Sequence, residues 1–138
     1  MGEVKVRWIG GHQFVGIDST HHSVVLSSPE EGVGMKPSEL LLVALASCSA
    51  YDVVEILKKK RLRLLGLEVT VQGEQDPEPP WAFRRIQLEY RVKGRQIPEG
   101  AVASAIELSE KKYCSVMATL SGVVEVSSHF QIEGEEEE

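Results

Sequence analysis

The sequence has little of what most enzyme families use to hold a cofactor. It contains two cysteines, which do not form a CxxC pair, so neither a thioredoxin motif nor a zinc ribbon is available. Its glycines form neither a GxGxxG nor a GxxxxGK pattern, which excludes the usual nucleotide-binding loops. There is also no GxSxG elbow for a nucleophilic serine. The sequence therefore predicts no cofactor, and we expect any catalysis to be thiol chemistry.

An excess of basic residues is lacking as well. The net charge is -6, and Glu133 with the run Glu135 to Glu138 supplies five of the 21 acidic residues. The rest of the chain is nearly neutral, so no basic face for a nucleic acid is expected. We interpret residues 133–138 as an acidic, disordered tail and residues 1–132 as a single domain.

Long apolar runs are also missing. The longest uncharged apolar run, Leu40 to Ala46, is far shorter than the roughly 18 residues of a membrane span. Met1 is followed by Glu3, Lys5 and Arg7 instead of an apolar signal segment. These features predict a cytoplasmic protein that does not bind a membrane. In that reducing compartment the cysteines are expected to be thiols or a transient redox pair.

A metal site has weak support. His21 and His22 are the residues that could join the cysteines as zinc ligands. Adjacent side chains on an extended segment point to opposite faces, so the two histidines cannot converge on one ion. The sequence predicts no metal.

The pattern of apolar residues predicts an α+β fold. Period-two alternation indicates strands, and Pro37 and Pro98 are placed where helices begin. The predicted order is βββ-α-ββ-α-ββ, with too few helices for a parallel α/β fold. The strands are expected near 4–8, 14–17, 24–26, 64–72, 84–92, 117–120 and 123–132, and the helices over 37–60 and 98–112.

The first helix is apolar on every side in its N-terminal half, through the run from Leu40 to Ala46. A helix of this kind in a soluble protein is buried on most of its faces. Lys58 and Lys59 lie in its last turns, where positive charge interacts favourably with the helix dipole.

The two cysteines lie at different kinds of position. Cys48 falls inside the first helix, on the same face as Leu41, Tyr51 and Asp52 by helical spacing. Cys114 follows the second helix. A buried cysteine often acts simply as a small apolar residue, so packing alone is an open interpretation for both.

The sequence resembles the OsmC/Ohr family of osmotically inducible and organic hydroperoxide resistance proteins. The resemblance is carried by the segment Lys36 to Cys48, with its Pro-x-Glu-Leu helix start and its cysteine in mid-helix, and by Tyr113-Cys114-Ser115-Val116. It spans nearly the whole chain. The stretch Asp52 to Lys59 is similar to the less characterised OsmC-like branch.

The resemblance implies antiparallel sheets around two central helices in an intertwined homodimer. It further implies a peroxidase that acts on organic hydroperoxides. Cys48 would attack the peroxide and become a sulfenic acid, Cys114 would condense with it to a disulfide, and an unidentified dithiol reductant would reset the pair. A dimer would also explain how a helix that is apolar all round is buried.

The groups that activate the thiol in better-known family members have no clear counterpart. Those members use an arginine from the N-terminal region, held by a glutamate at the position that Ser38 occupies here. Glu39 is a neighbouring candidate for the carboxylate. The candidate arginines are Arg7, on the first predicted strand, and Arg84 and Arg85. Asp52, if close to the sulfur of Cys48, would raise its pKa.

Two alternatives to a peroxidase stay open. One is a redox sensor or a protein that binds a small apolar ligand in the same cleft. In either case, the cysteines would respond stoichiometrically. The other is a purely structural dimer, in which they would only pack.

Overall fold

The computed structural model describes residues 2–134. The described chain divides into two compact units between Leu41 and Leu42. Strand β6 continues through Gly134, two residues beyond the end predicted for the domain. The remainder of the predicted acidic tail, residues 135–138, lies outside the described residues.

The first unit is built on a three-stranded antiparallel meander. Strands β1 (Lys5–Gly10), β2 (Gln13–Ile17) and β3 (Ser23–Ser27) pair in the order β1-β2-β3. Gly10 and Gly11 both have positive φ angles, of 115° and 51°, which glycine adopts without a steric penalty in the tight turn between β1 and β2. The three strands are those that the alternating pattern predicts.

Helix α1 (Pro37–Lys59) begins in the first unit and continues into the second. Pro37 occupies its first position, where the missing N–H is not needed. Leu45, Ser49, Val53 and Leu57 form its buried row, because every fourth residue falls on one helical face. Within one chain the remaining faces are more open than the sequence predicts.

By length and composition α1 is apolar enough to cross a membrane, with a mean hydropathy of 1.9 over its most apolar window. Only 22% of that window is buried inside the single chain. The short run Leu40–Ala46 therefore understates how apolar the helix is. A core helix passes the same test, and the fully buried Leu45, Val53 and Leu57 belong to one hydrophobic core with the sheet of the second unit.

The second unit contains the sheet that carries this core. Strands β4 (Arg63–Gln75) and β5 (Phe83–Arg95) form a long antiparallel hairpin. The alternate residues Ile86, Leu88, Tyr90 and Val92 of β5 are fully buried. This period-two burial is what the sequence pattern predicts for a strand with one face in the core.

The last third of the chain departs from the predicted order. After α2 (Glu99–Leu108), a π-helical turn (Ser109–Tyr113) leads into a short helix α3 (Ser115–Leu120), and strand β6 (Glu125–Gly134) follows. The prediction of a strand at Met117–Leu120 is therefore wrong. A short apolar run fits a buried helical turn as well as a strand, so the pattern could not separate the two.

Strand β6 pairs in parallel with β5, with Tyr90 opposite Phe130, so the expectation of purely antiparallel sheets is also corrected. Parallel neighbours need a crossover connection of a dozen or more residues, usually helical. The helical segment from Glu99 to Leu120 provides that connection. The α+β class is confirmed, with one three-stranded sheet in each unit.

Candidate redox site

Cys48 lies in the middle of α1 and is partly buried. It follows the exposed Ser47 and precedes the fully buried Ser49, so its side chain lies at the border of the helix face that packs on the core. A thiol at this border can be held by protein groups and still be reached from outside.

Cys114 lies at the junction between the π-helical turn and α3 and is 2% exposed. Its backbone N–H donates to the carbonyl oxygen of Ser109 at 2.8 Å. Its backbone is extended, and its sulfur caps α3 by accepting a hydrogen bond from the N–H of Met117 at 3.4 Å. The cysteine thus ends one helical segment and caps the next.

The two thiols lie close enough for each to shift the pKa of the other, and both are free. The backbone N–H groups of Ser115 and Val116 and the Ser115 hydroxyl also act to lower the pKa of Cys48. The Cys48 thiol therefore lies beside the first turn of α3. Backbone N–H groups are available there because no preceding helical turn uses them.

The pKa values of the two thiols move in opposite directions. Burial acts to raise the pKa of Cys48, but the hydrogen bonds from Cys114, Val116 and Ser115 outweigh it, so its pKa lies below the usual value of 9.0. Burial, together with the neighbouring Cys48 sulfur, raises the pKa of Cys114 to about 11. The arrangement favours a thiolate at Cys48 and a protonated thiol at Cys114.

A buried chain of hydroxyl groups lies next to the cysteines in the sequence and in space. The Ser109 hydroxyl bonds to Asp52 Oδ2 at 2.7 Å and to Ser49 Oγ at 3.1 Å. Ser49 Oγ in turn lies 2.5 Å from the hydroxyl of Tyr90. Asp52, considered above for its effect on the pKa of Cys48, therefore accepts a hydrogen bond from the buried Ser109.

The fully buried Tyr90 closes this chain on the sheet side. Burial raises its pKa to about 12, and the hydrogen bond with Ser49 only partly offsets that effect. The negative charge of Glu110 acts in the same direction as burial, and Glu110 accepts a hydrogen bond from Ser128 on β6. Sequence reasoning missed this network, although a serine and a tyrosine at core-facing positions were a visible signal.

The chain matches a family model described as OsmC-like protein over residues 28–129. It is also 34% identical over 130 residues to "Protein YhfA" of Escherichia coli K12, which covers 94% of this chain and 97% of that protein. The chain belongs to the OsmC-like family. The resemblance seen in the sequence is therefore confirmed.

Two solved structures share the fold of this OsmC-like protein. A hypothetical protein from Aquifex aeolicus is 29% identical, with a TM-score of 0.89 and 99% and 98% of the two chains covered. An organic hydroperoxide resistance protein OsmC from Legionella pneumophila is 15% identical, with a TM-score of 0.71 and 95% and 96% covered. At that identity the second likeness concerns the fold alone.

Two of the three arginines considered as activating groups, Arg84 and Arg85, pair with carboxylates in this OsmC-like chain. The guanidinium of Arg84 bonds both carboxylate oxygens of Asp76, at 2.9 and 3.0 Å from Nε, and each group shifts the pKa of the other toward its charged form. Arg85 pairs with Glu125 at 3.4 Å. Both arginines are exposed surface partners of carboxylates, so neither is placed by the structure as an activator of Cys48.

The other candidates belong to the first unit. Arg7 is an exposed residue of β1, and Glu39 pairs with Lys36 at 3.0 Å in the first turn of α1. Their action on Cys48 stays a prediction, as does any replacement of the missing carboxylate at Ser38. The groups that are seen to lower the pKa of Cys48 come instead from the start of α3.

The two histidines do not form a metal site. His21 has a positive φ of 66°, and His22 Nδ1 lies 2.8 Å from the hydroxyl of Thr20, which also bonds Asp18. Among residues 2–134 no group of three or more histidine, cysteine, aspartate or glutamate side chains could hold a metal ion.

Proposed function

We propose that this protein is a thiol-dependent peroxidase that reduces organic hydroperoxides, with Cys48 as the attacking thiol and Cys114 as the resolving thiol. The observation that carries the proposal is that the two neighbouring thiols have pKa values shifted in opposite directions. One thiol has its pKa lowered by donors, and its partner is kept protonated at a pKa of about 11. Two cysteines that serve only as packing residues do not need pKa values that differ in this way.

The first step follows from this asymmetry. The Cys48 thiolate attacks one peroxide oxygen, the O–O bond breaks, and the alcohol leaves after taking a proton. Cys48 becomes a sulfenic acid. Because the thiolate is the nucleophile, the N–H groups of Ser115 and Val116 supply what an adjacent cation would otherwise supply.

In the second step Cys114 attacks the sulfur of the Cys48 sulfenic acid. The S–S bond forms, the S–O bond breaks, and hydroxide leaves with the thiol proton as water. A dithiol then reduces the disulfide to two thiols and is itself oxidised to a disulfide. We expect that reductant to attack the Cys48 sulfur, because Cys114 is only 2% exposed.

Two considerations favour an organic substrate. The helix that carries Cys48 is apolar over most of its length, so an alkyl group is better accommodated beside the thiol than water. A protein of the same fold is called an organic hydroperoxide resistance protein. We further propose a homodimer, because Val43 and Tyr51 of α1 are 46% and 69% exposed in the single chain.

The test is consumption of cumene hydroperoxide and of hydrogen peroxide with dithiothreitol as reductant. We expect multiple turnovers, faster with the organic peroxide, and background rates for Cys48→Ser. Ser47→Ala, an exposed change on the same helix, is the matched control and should retain the wild-type rate. Equal rates for wild type and Cys48→Ser would rule the peroxidase out.

The same assay separates the redox sensor. A sensor would consume one equivalent of peroxide and form its disulfide. Peroxide consumption would then stop although dithiothreitol is present. Purely packed cysteines would consume none and would react with thiol reagents only after unfolding.

A further inference from the structure

Ser109 is fully buried, and it contacts the elements that carry both cysteines. Its hydroxyl bonds to Asp52 and Ser49, at 2.7 and 3.1 Å, and both of these residues belong to α1, the helix of Cys48. Ser49 is the residue next to Cys48. The side chain of Ser109 is therefore tied to the turn of α1 that holds the attacking thiol.

The backbone of the same residue is tied to the other thiol. The carbonyl oxygen of Ser109 accepts the N–H of Cys114 at 2.8 Å, a bond between residues five apart that closes the π-helical turn. Such turns are rare and are frequently found at functional sites. The turn fixes the position of Cys114 relative to Ser109.

We propose that Ser109 is a positioning residue that sets the approach of Cys114 to Cys48 for disulfide formation, an inference that rests on the proposed two-cysteine reaction and deepens it. Ser109 touches no reacting atom. It acts through the π-helical turn, whose far end is Cys114, and through Ser49 and Asp52, which fix that turn against α1.

The step in question is geometrically demanding. A disulfide requires Cα atoms within roughly 7 Å and Cβ atoms that face each other. The attack of the Cys114 sulfur on the sulfenic acid also needs the S–O bond to lie along the line of approach, and misplacement by about 1 Å is costly for such a step. Hydrogen bonds that hold two elements in register are a direct way to meet this requirement.

The test compares Ser109→Ala with Ser104→Ala, a partly buried serine on α2 that serves as the matched control. One equivalent of cumene hydroperoxide is added, and sulfenic acid and disulfide are followed by trapping and mass spectrometry. For Ser109→Ala we expect sulfenic acid to form at nearly the wild-type rate and the disulfide to form at least about five-fold more slowly, since the loss of even one of the two hydrogen bonds of Ser109 has about this effect. Ser104→Ala should match the wild type in both steps.

A second pair of variants keeps the inference testable if Ser109→Ala does not fold. Asp52→Asn retains an acceptor for the Ser109 hydroxyl, whereas Asp52→Ala removes it, and both remove the charge. Disulfide formation should be near wild type in Asp52→Asn and slowed in Asp52→Ala. Equal rates in the two variants, or an unaltered rate in a folded Ser109→Ala, would overturn the positioning role.

Diamide separates this inference from the peroxidase proposal. It first adds to one thiolate, and the second thiol then displaces the reduced reagent to give the disulfide, so no peroxide chemistry is needed. If the wild type does not react with hydroperoxides but Ser109→Ala still slows diamide-driven disulfide formation, the peroxidase fails and the positioning role is supported. If peroxide turnover occurs and Ser109→Ala leaves both oxidants' disulfide rates unchanged, the positioning role fails alone.

Discussion

Cys114 and Cys48 lie close enough to interact, and this interaction lowers the pKa of Cys48 while it raises that of Cys114. The two residues come from distant parts of the chain, one from the middle of α1 and the other from the start of α3. Because their ionisation is linked, the protonated Cys114 stabilises the thiolate that performs the first step and is then ready to act in the second.

The order in which the two cysteines are alkylated should reflect the difference between their pKa values. With iodoacetamide in the native state, Cys48 should react first, and its rate should rise with pH along a curve whose midpoint lies below pH 9.0. Cys114 should become reactive only as the pH approaches about 11. Mass spectrometry of peptides after short labelling times at several pH values measures both profiles. Labelling of Cys114 before Cys48 would contradict the assignment.

Replacements of Cys114 should separate its role as a donor from its role as a resolving thiol. Cys114→Ser keeps a hydroxyl donor beside Cys48, whereas Cys114→Ala removes it. We expect the pKa of Cys48 to rise in the alanine variant, because a group that stabilises its thiolate is lost. The serine variant should show a smaller shift.

Neither variant should form an intramolecular disulfide, and the Cys48 sulfenic acid should therefore accumulate after one equivalent of hydroperoxide. Trapping with a sulfenic acid reagent measures it. If the sulfenic acid of Cys114→Ser disappears as fast as that of the wild type, without a disulfide being formed, Cys114 is not the resolving thiol.

Tyr90 should make the stability of the fold depend on alkaline pH. Its pKa is about 12 in the folded protein and near 10.0 when exposed. The folded state therefore holds its proton more tightly, and the resulting stability is complete below pH 10 and is lost as the pH rises toward 12. The loss is on the order of 2 kcal/mol.

The measurement is urea unfolding of wild type and Tyr90→Phe between pH 8 and pH 11.5. At pH 8 the phenylalanine variant should be less stable by about 1 kcal/mol, because the bond to Ser49 is lost. The difference in the free energy of unfolding should shrink as the pH rises, since only the wild type loses stability when the hydroxyl of Tyr90 ionises. A constant difference across this range would show that Tyr90 does not titrate with unfolding.

The sequence predicts the strands and helices whose apolar pattern is long, such as β5 and α1, because many residues then agree on one period. It does not predict α3. The start of this helix is capped by the sulfur of Cys114, which accepts a hydrogen bond from the N–H of Met117, and no apolar pattern contains such a contact. The parallel pairing of β6 was within reach, because a strand, helical segment and strand in succession make up a crossover unit.

The candidate site is a similar mixture. The roles of Cys48 and Cys114 came from the family resemblance, since their spacing alone says nothing of proximity. The donors at Ser115 and Val116 could not be predicted, because backbone N–H groups have no signature in the sequence. Ser109 was missed because its partners, Asp52 and Ser49, lie far away in the chain.

The proposed homodimer should depend on the exposed side of α1. Val43 and Tyr51 lie eight residues apart on α1, both are exposed in the single chain, and together they present an apolar surface that a second copy would cover. A glutamate at Tyr51 would place a charge inside such an interface without a partner. We expect Tyr51→Glu to weaken dimerisation at least about tenfold, or 1.4 kcal/mol.

Sedimentation equilibrium over a range of protein concentrations measures this change directly. Thr70→Glu, an exposed substitution on β4, adds the same charge and should leave the dimer intact. Circular dichroism shows whether each variant retains its secondary structure, so that loss of the dimer is not confused with unfolding. A wild-type protein that sediments as a monomer at all concentrations, or a Tyr51→Glu variant as dimeric as Thr70→Glu, would mean that α1 is not covered by a second copy, and the exposure of Val43 and Tyr51 would then need another explanation.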